Sequence, residues 1–451
     1  MLNRTLKPPT LALLLALTSL LAGCSCQEQA KPLTLQAYGD PAELDSYKLL
    51  IDAYQQTYPE RKVEFIPVAK QKDHMAKLTT SFAAGSPPDV FLLNFRRFGQ
   101  FAAKDVLAPV GDLLGERFKP QDFYPQPMEA FQWQGKQLCA AQNASSLVVY
   151  YNQRLFKEAG LAVPSSRWTM DEFVKAARLL TKDTNGDGKT DIYGVGIEPE
   201  FIRLAPFVWA FGGQIVDNLN QPTLFALDRD SAPRGVAFFR NLLQVEKVAP
   251  PLAVVSGQSL ENLFLQEKVA MFFNSRRFTA TLRQHNQSSQ TNQTKLSWDV
   301  AAFPRLDQPV SVLHADGYCV AKASKNQPAA AHFIEFALGD IGQSLLSKTG
   351  RIVPVRRSVA LSPAFLSEKL PPASAHLFLE ALPTLRRTPT VAGWHEAESR
   401  ADALVEEWYY EDPNKPVAGE AALESQLEGR GEDMVLGALL NKDAAPALTR
   451  E

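Results

Sequence analysis

From residue 33 onward the chain switches repeatedly between two hydrophobic rhythms. Leu33–Tyr38 sets apolar against polar residues with the two-residue period of a strand. Over Glu43–Tyr58 the apolar positions Leu44, Tyr47, Ile51, Tyr54 and Tyr58 recur every three or four residues, which predicts a helix. Val63–Val68 and Asp89–Leu93 read as second and third strands. Between them Ala76–Ala84 reads as a helix that stops at Gly85, ahead of Pro87 and Pro88. Strand, helix, strand, helix, strand is the order of a parallel α/β sheet.

The alternation continues. Leu147–Tyr151 predicts a strand, and Arg154–Ala159 a helix closed by Gly160. Thr169 and Glu172 form a capping box for a helix reaching about Thr181. Ala270–Phe273, Trp298–Ala302 and Gly317–Ala321 read as short buried strands, with helices at Pro328–Leu338 and Gly342–Lys348. Residues 284–295, rich in Gln, Asn, Ser and Thr, read as a surface loop, and the chain beyond Pro371 reads as mostly helical. No internal repeat is visible.

Ahead of this lies a different kind of segment. Arg4 and Lys7 precede an apolar run from Leu11 to Ala22, the layout of a secretory signal. Leu21-Ala22-Gly23-Cys24 resembles a bacterial lipobox, so residues 1–23 are expected to be a lipoprotein signal peptide. The resemblance makes Cys24 the lipidated residue, with residues 24–32 a tether. Acyl chains contribute about 0.8 kcal/mol per buried CH₂, enough in combination for stable anchoring.

Composition narrows the rest. Lys and Arg number 47 against 49 Asp and Glu, a formal net charge of -2, which offers no basic field for nucleic acid. Four Cys and six His are too few for a disulfide scaffold or a metal-cluster protein.

Several collinear segments resemble family 1 extracellular solute-binding proteins, the receptor components of ABC importers for sugars. They include Tyr47–Val68, Ser81–Asn94 with its Gly-x-x-Pro-Asp lead-in, Ser145–Leu161 and Trp168–Thr181. "FGGQIVD", "FLQEKVAMFFNS", the stretch from Asp316 and "GRIVPVRRS" complete the set. The resemblance implies a two-lobed α/β fold of the type II periplasmic-binding class, with three crossings and hinge closure around ligand. It places an N-lobe at residues 33–142 and 316–360, and a C-lobe at 143–315 and 361–451. The crossings fall near Gln142-Asn143, His314-Ala315 and Val355–Pro363.

Family position also nominates ligand-binding residues. These are Tyr38 and Asp40 after the first strand, Asn94, Arg96 and Arg97 after the third, and Asn143 at the first crossing. In the C-lobe they are Trp209 ahead of Gly213, and Asn274 with Arg277. His314, Asp316 and Gly317 lie at the second crossing, Arg351 follows Gly350, and Trp394 falls where maltose-binding proteins carry a stacking Trp. Planar polar groups and rings suit the hydroxyl edges and faces of a sugar; Trp209 and Trp394 equally suit a core. Arg96 stands where the maltose type has an acid and Arg277 near a Trp position. Both departures suggest a sugar derivative carrying a carboxylate or phosphate, since an Arg fork pairs with either.

Asp183, Asn185, Asp187, Lys189 and Asp191 follow the spacing of a calcium loop, although position 12 is Gly194 and the bidentate Glu is missing. A solvated turn accounts for the same residues. The segment lacks the first Gly of a P-loop, and Gly194-Val195-Gly196 lacks the third Gly of a dinucleotide fingerprint. No cofactor is required; structural calcium is the one candidate. If the two hinge strands implied by the resemblance pair antiparallel, Cys139 faces Cys319, and an exported compartment permits either a disulfide or two buried thiols. The sequence thus reads as a monomeric, non-enzymatic, lipid-anchored receptor on the extracytoplasmic face. Its partners would be a carbohydrate-like ligand and ABC permease subunits. The competing readings are an exported carbohydrate-active hydrolase and a ligand sensor of the same fold.

Overall fold

The computed structural model describes residues 31–288 and 295–410. The signal segment, Cys24 and most of the tether lie outside the described residues, as does the C-lobe expectation beyond Tyr410. The chain divides into two units, Met1–Pro32 and Leu33–Glu451, and every strand and helix described here belongs to the second. Among the described residues no helix is long and apolar enough to cross a membrane.

Two sheets organise this unit. The first runs in the order Val63–Val68, Leu33–Tyr38, Val90–Asn94, Asp316–Ala321, Leu107–Ala108, with Cys139–Ala141 also paired to Asp316–Ala321. Leu33–Tyr38 is parallel to both its neighbours, whereas Asp316–Ala321 runs antiparallel to Val90–Asn94 and sets Asp316 opposite Asn94. The second sheet is Tyr193–Gly196, Val269–Asn274, Val148–Asn152, Trp298–Ala301; the first pair is parallel and the others antiparallel. Its central strands are buried along their whole length, which explains why they read as continuous apolar runs.

Local chemistry starts the helices where the strands end. Asp40 accepts from the Glu43 N–H, with Pro41 at the first position of the helix Pro41–Thr57. Asn94 caps Phe95–Ala102 by accepting from the Arg96 N–H, and Thr169 with Glu172 forms the expected capping box for Met170–Leu180. The helix Phe201–Ala210 is buried from Phe201 to Trp209, Arg203 included, so it shows no polar face in the sequence. Residues 284–288 are a correction to the loop expectation: they complete the helix Phe278–Ser288.

Each sheet has its own core. Leu35, Phe91, Phe98, Phe131, Tyr318 and Phe333 belong to the first. Tyr151, Phe173, Phe207, Phe273 and Trp394 belong to the second. Three connecting stretches lie side by side between them: Asn143-Ala144 pairs antiparallel with Val353-Pro354, and Ser145 with His314. Cys139 and Cys319, opposite each other on neighbouring strands, form a disulfide that spans 180 residues of chain.

A further contact joins the lobes. The helix Phe95–Ala102 lies so close to the backbone of Thr390 and Val391 that a Cβ on Gly99 would collide with their carbonyl oxygens. Residues 390–391 lead into the helix Trp394–Tyr410, which packs on the second core.

Candidate functional site

The carboxyl ends of Leu33–Tyr38 and Val90–Asn94 point their last residues at one carboxylate. The Tyr38 hydroxyl donates to Asp316 Oδ1 at 2.7 Å and Asn94 Nδ2 to the same oxygen at 3.2 Å. Asn143 Nδ2 donates to Asp316 Oδ2 at 3.2 Å, while the Asp316 N–H donates to Asn143 Oδ1 at 3.0 Å. The crevice beyond strand carboxyl ends is where open α/β sheets bind ligands. Burial and the Asp316 charge hold the Tyr38 phenol well above its usual range, so it stays a donor.

Around this centre lie ion pairs from both lobes, and one of them, Arg96–Glu398, joins the lobes to each other. Arg96 Nη1 donates to Glu398 Oε2 at 3.0 Å, and Glu200, Asp402 and Tyr38 reinforce the Arg96 charge. Arg97 lies beside it; among the described residues no carboxylate is within ion-pair distance of Arg97, and burial with the Arg96 charge lowers Arg97 to about 10. Arg203 pairs with Glu198 at 2.9 Å and approaches Glu200 at 3.8 Å. Arg277 pairs with Glu261 at 3.1 Å. Asp40 pairs with Arg351, which comes within 3.9 Å of Glu43. Burial first, and then the Asp316 charge, pushes Glu43 up to about 8. Burial and the charges of Arg203, Arg96 and Arg277 keep His314 neutral, well below the usual imidazole value.

Tyr38, Asp40, Asn94, Arg96, Arg97, Asn143, Arg277, His314, Asp316 and Arg351 thus fall within one network. Other nominated residues serve different purposes. Trp394 is a correction: it is fully buried, 5.8 Å from the rings of Phe201 and Phe225, and offers no face to a ligand. Trp209 is 6 % exposed, lies under Arg386 at 5.4 Å, and lines a separate cavity of about 290 Å³ with Glu129 and Arg387. Gly213 and Gly317 are packing glycines, since a Cβ would strike Ala232 and the Phe131 ring respectively. Asn274 is buried; its Nδ2 donates to Glu261 and its Oδ1 accepts from the Ser275 N–H.

The calcium spacing resolves into a self-bonded turn. Asp183 accepts from the N–H groups of Asn185, Gly186 and Gly188, Asp187 from Lys189, and Asp191 from Thr184, which lowers Asp183 and Asp191. Asn185 likewise accepts from the Asp187 N–H. Among the described residues no group of three His, Cys, Asp or Glu could hold a metal ion.

Sequence reasoning missed Glu43, Glu198, Glu200, Arg203, Glu261, Glu398 and Asp402. One signal was available: Arg203 is the lone charge inside a ten-residue helix that is otherwise apolar, shortly after two glutamates. Burying that charge demands partners, and Glu198 and Glu200 supply them.

Comparison with known proteins adds three findings. A family model for bacterial extracellular solute-binding proteins matches residues 38–344. The diacetylchitobiose-binding protein of Streptomyces coelicolor is 24 % identical over 340 residues, 75 % of each chain. An ABC substrate-binding protein of Listeria monocytogenes, solved with cycloalternan, superposes with a TM-score of 0.74 at 23 % identity, covering 88 % of this chain and 99 % of that one.

Proposed function

Because the chain belongs to the bacterial extracellular solute-binding protein family, we propose that it captures a carbohydrate-like solute outside the cytoplasm and hands it to the permease of an ABC importer. The observation that carries this reading is the Asp316 centre. Tyr38, Asn94 and Asn143 fix one carboxylate at the hinge, while ion pairs surround it from both lobes. Such a cluster offers planar, pre-oriented hydrogen-bonding groups, which suits a polyhydroxylated ligand and needs no bond to be broken. Lobe closure, lipid anchoring through Cys24 and action as a monomer complete the proposal. Relatives that bind diacetylchitobiose and mannitol support the choice of solute class.

The test is thermal unfolding of the protein against a panel of sugars, sugar amines, sugar acids and sugar phosphates. A ligand at one hundred times its dissociation constant stabilises by about 2.7 kcal/mol. A selective rise in melting temperature, with the compound recovered unchanged, is expected. Cleaved product would overturn the receptor reading in favour of a hydrolase.

A further inference from the structure

The arginines that suggested an anionic ligand are mostly neutralised by the protein itself. Around the centre lie Asp40, Glu43, Glu198, Glu200, Glu261, Asp316, Glu398 and Asp402 against Arg96, Arg97, Arg203, Arg277 and Arg351, eight carboxyl groups to five cations. His314 adds no positive charge. Asp40, Glu200 and Arg277 keep about half of their side chains in solvent, and Glu43 is raised to about 8, so the cost of unmet charge falls on the more buried groups such as Glu398.

Two carboxylates, Asp402 and Asp316, have no ion pair among the described residues, and of these Asp316 sits at the hinge. Glu398, Glu261, Glu198 and Asp40 each have an arginine, and Glu200 and Glu43 lie at 3.8 and 3.9 Å from one. Asp402 accepts from the Phe201 N–H and caps that helix. Asp316 accepts only from the neutral groups of Tyr38, Asn94 and Asn143, and among the described residues no cation pairs with it. A second acceptor points the same way: Glu398 is 2 % exposed, and among the described residues its Oε1 has no donor.

Resting on the receptor reading, we infer that the solute carries a protonated amine, which Asp316 accepts as its counter-ion. The sugar hydroxyls then meet the surrounding arginine and carboxylate groups. Burial is the first cause of the raised Glu43 carboxyl, and the Asp316 charge beside it adds to the rise. A carboxylate or phosphate on the ligand would add to the excess of carboxyl groups over cations.

Isothermal titration of the full chain at about pH 6.5, where sugar amines are protonated, separates the outcomes. The probes are glucosamine and chitosan oligosaccharides, their N-acetylated counterparts, glucose and maltose oligosaccharides, and glucuronate. The amine forms are expected to bind at least about tenfold more tightly than the N-acetylated ones, since acetylation removes the charge and its ion pair. Asp316→Asn is expected to abolish that difference. If neutral or acidic probes bind as well as the amines, the amine inference fails and the receptor reading stands. If no probe of any charge binds, both fail. The wild-type comparison decides the matter even if Asp316→Asn does not fold.

Discussion

Arg96 and Glu398 are 302 residues apart in the chain and 3.0 Å apart in space, one on the first-lobe helix Phe95–Ala102 and the other on Trp394–Tyr410. Glu398 is 2 % exposed, so its carboxylate depends on that guanidinium. Arg96→Ala is expected to cost about 3 kcal/mol in urea unfolding, mostly from stranding the carboxylate. Arg96→Ala combined with Glu398→Ala should recover part of the loss, and a double-mutant cycle measures how much.

Trp394 separates core from cleft. With its side chain against Phe201 and Phe225 inside the second core, Trp394→Ala should destabilise by about 3–5 kcal/mol. Ligand affinity, measured well below the melting transition, should change less than about threefold. A stacking platform would lose affinity first.

The Cys139–Cys319 bond closes 180 residues of sequence, so its loss releases a large amount of unfolded-chain entropy. The double Cys→Ala variant should lose about 2–5 kcal/mol, read from denaturant unfolding without reductant. Reductant should lower wild-type stability and leave the variant unmoved.

Glu43 predicts a pH dependence. Its neighbours are Asp40, Asp316, Tyr38 and Tyr47 on one side and Arg351 and Arg277 on the other, and its carboxyl rises from 4.5 to about 8 in the fold. The folded state therefore holds a proton that the unfolded chain releases. That stabilisation is complete below about pH 4.5 and is lost progressively as pH rises toward 8. Glu43→Gln should flatten melting temperature against pH across this interval.

Elements were legible where a long apolar rhythm or a continuous apolar run marked them. Leu33–Tyr38 and Val63–Val68 were read to the residue, the first from its alternation of apolar and polar residues. Phe201–Ala210 escaped because a helix buried all round shows no period, and Phe95–Ala102 because its polar face is filled by residues nominated singly. At the site, position in the family supplied most of the cations, Arg96, Arg97, Arg277 and Arg351, but only two of the carboxylates, Asp40 and Asp316. Glu398 and Glu261 escaped because a glutamate on a helix looks like any solvated face until its partner arrives from elsewhere in the chain. Trp394 misled for the converse reason: an aromatic residue at a family ligand position can turn inward when neighbouring rings make room.

The disulfide has a consequence beyond stability. The second sheet is an insertion between two segments of the first, and Cys139 and Cys319 stand at its edges. A chain cut by a protease anywhere between residues 140 and 318 therefore remains one covalent molecule. Under denaturing, non-reducing conditions it would migrate as a single species, and only reduction would release two pieces. For an exported solute-binding protein, nicking need not mean loss.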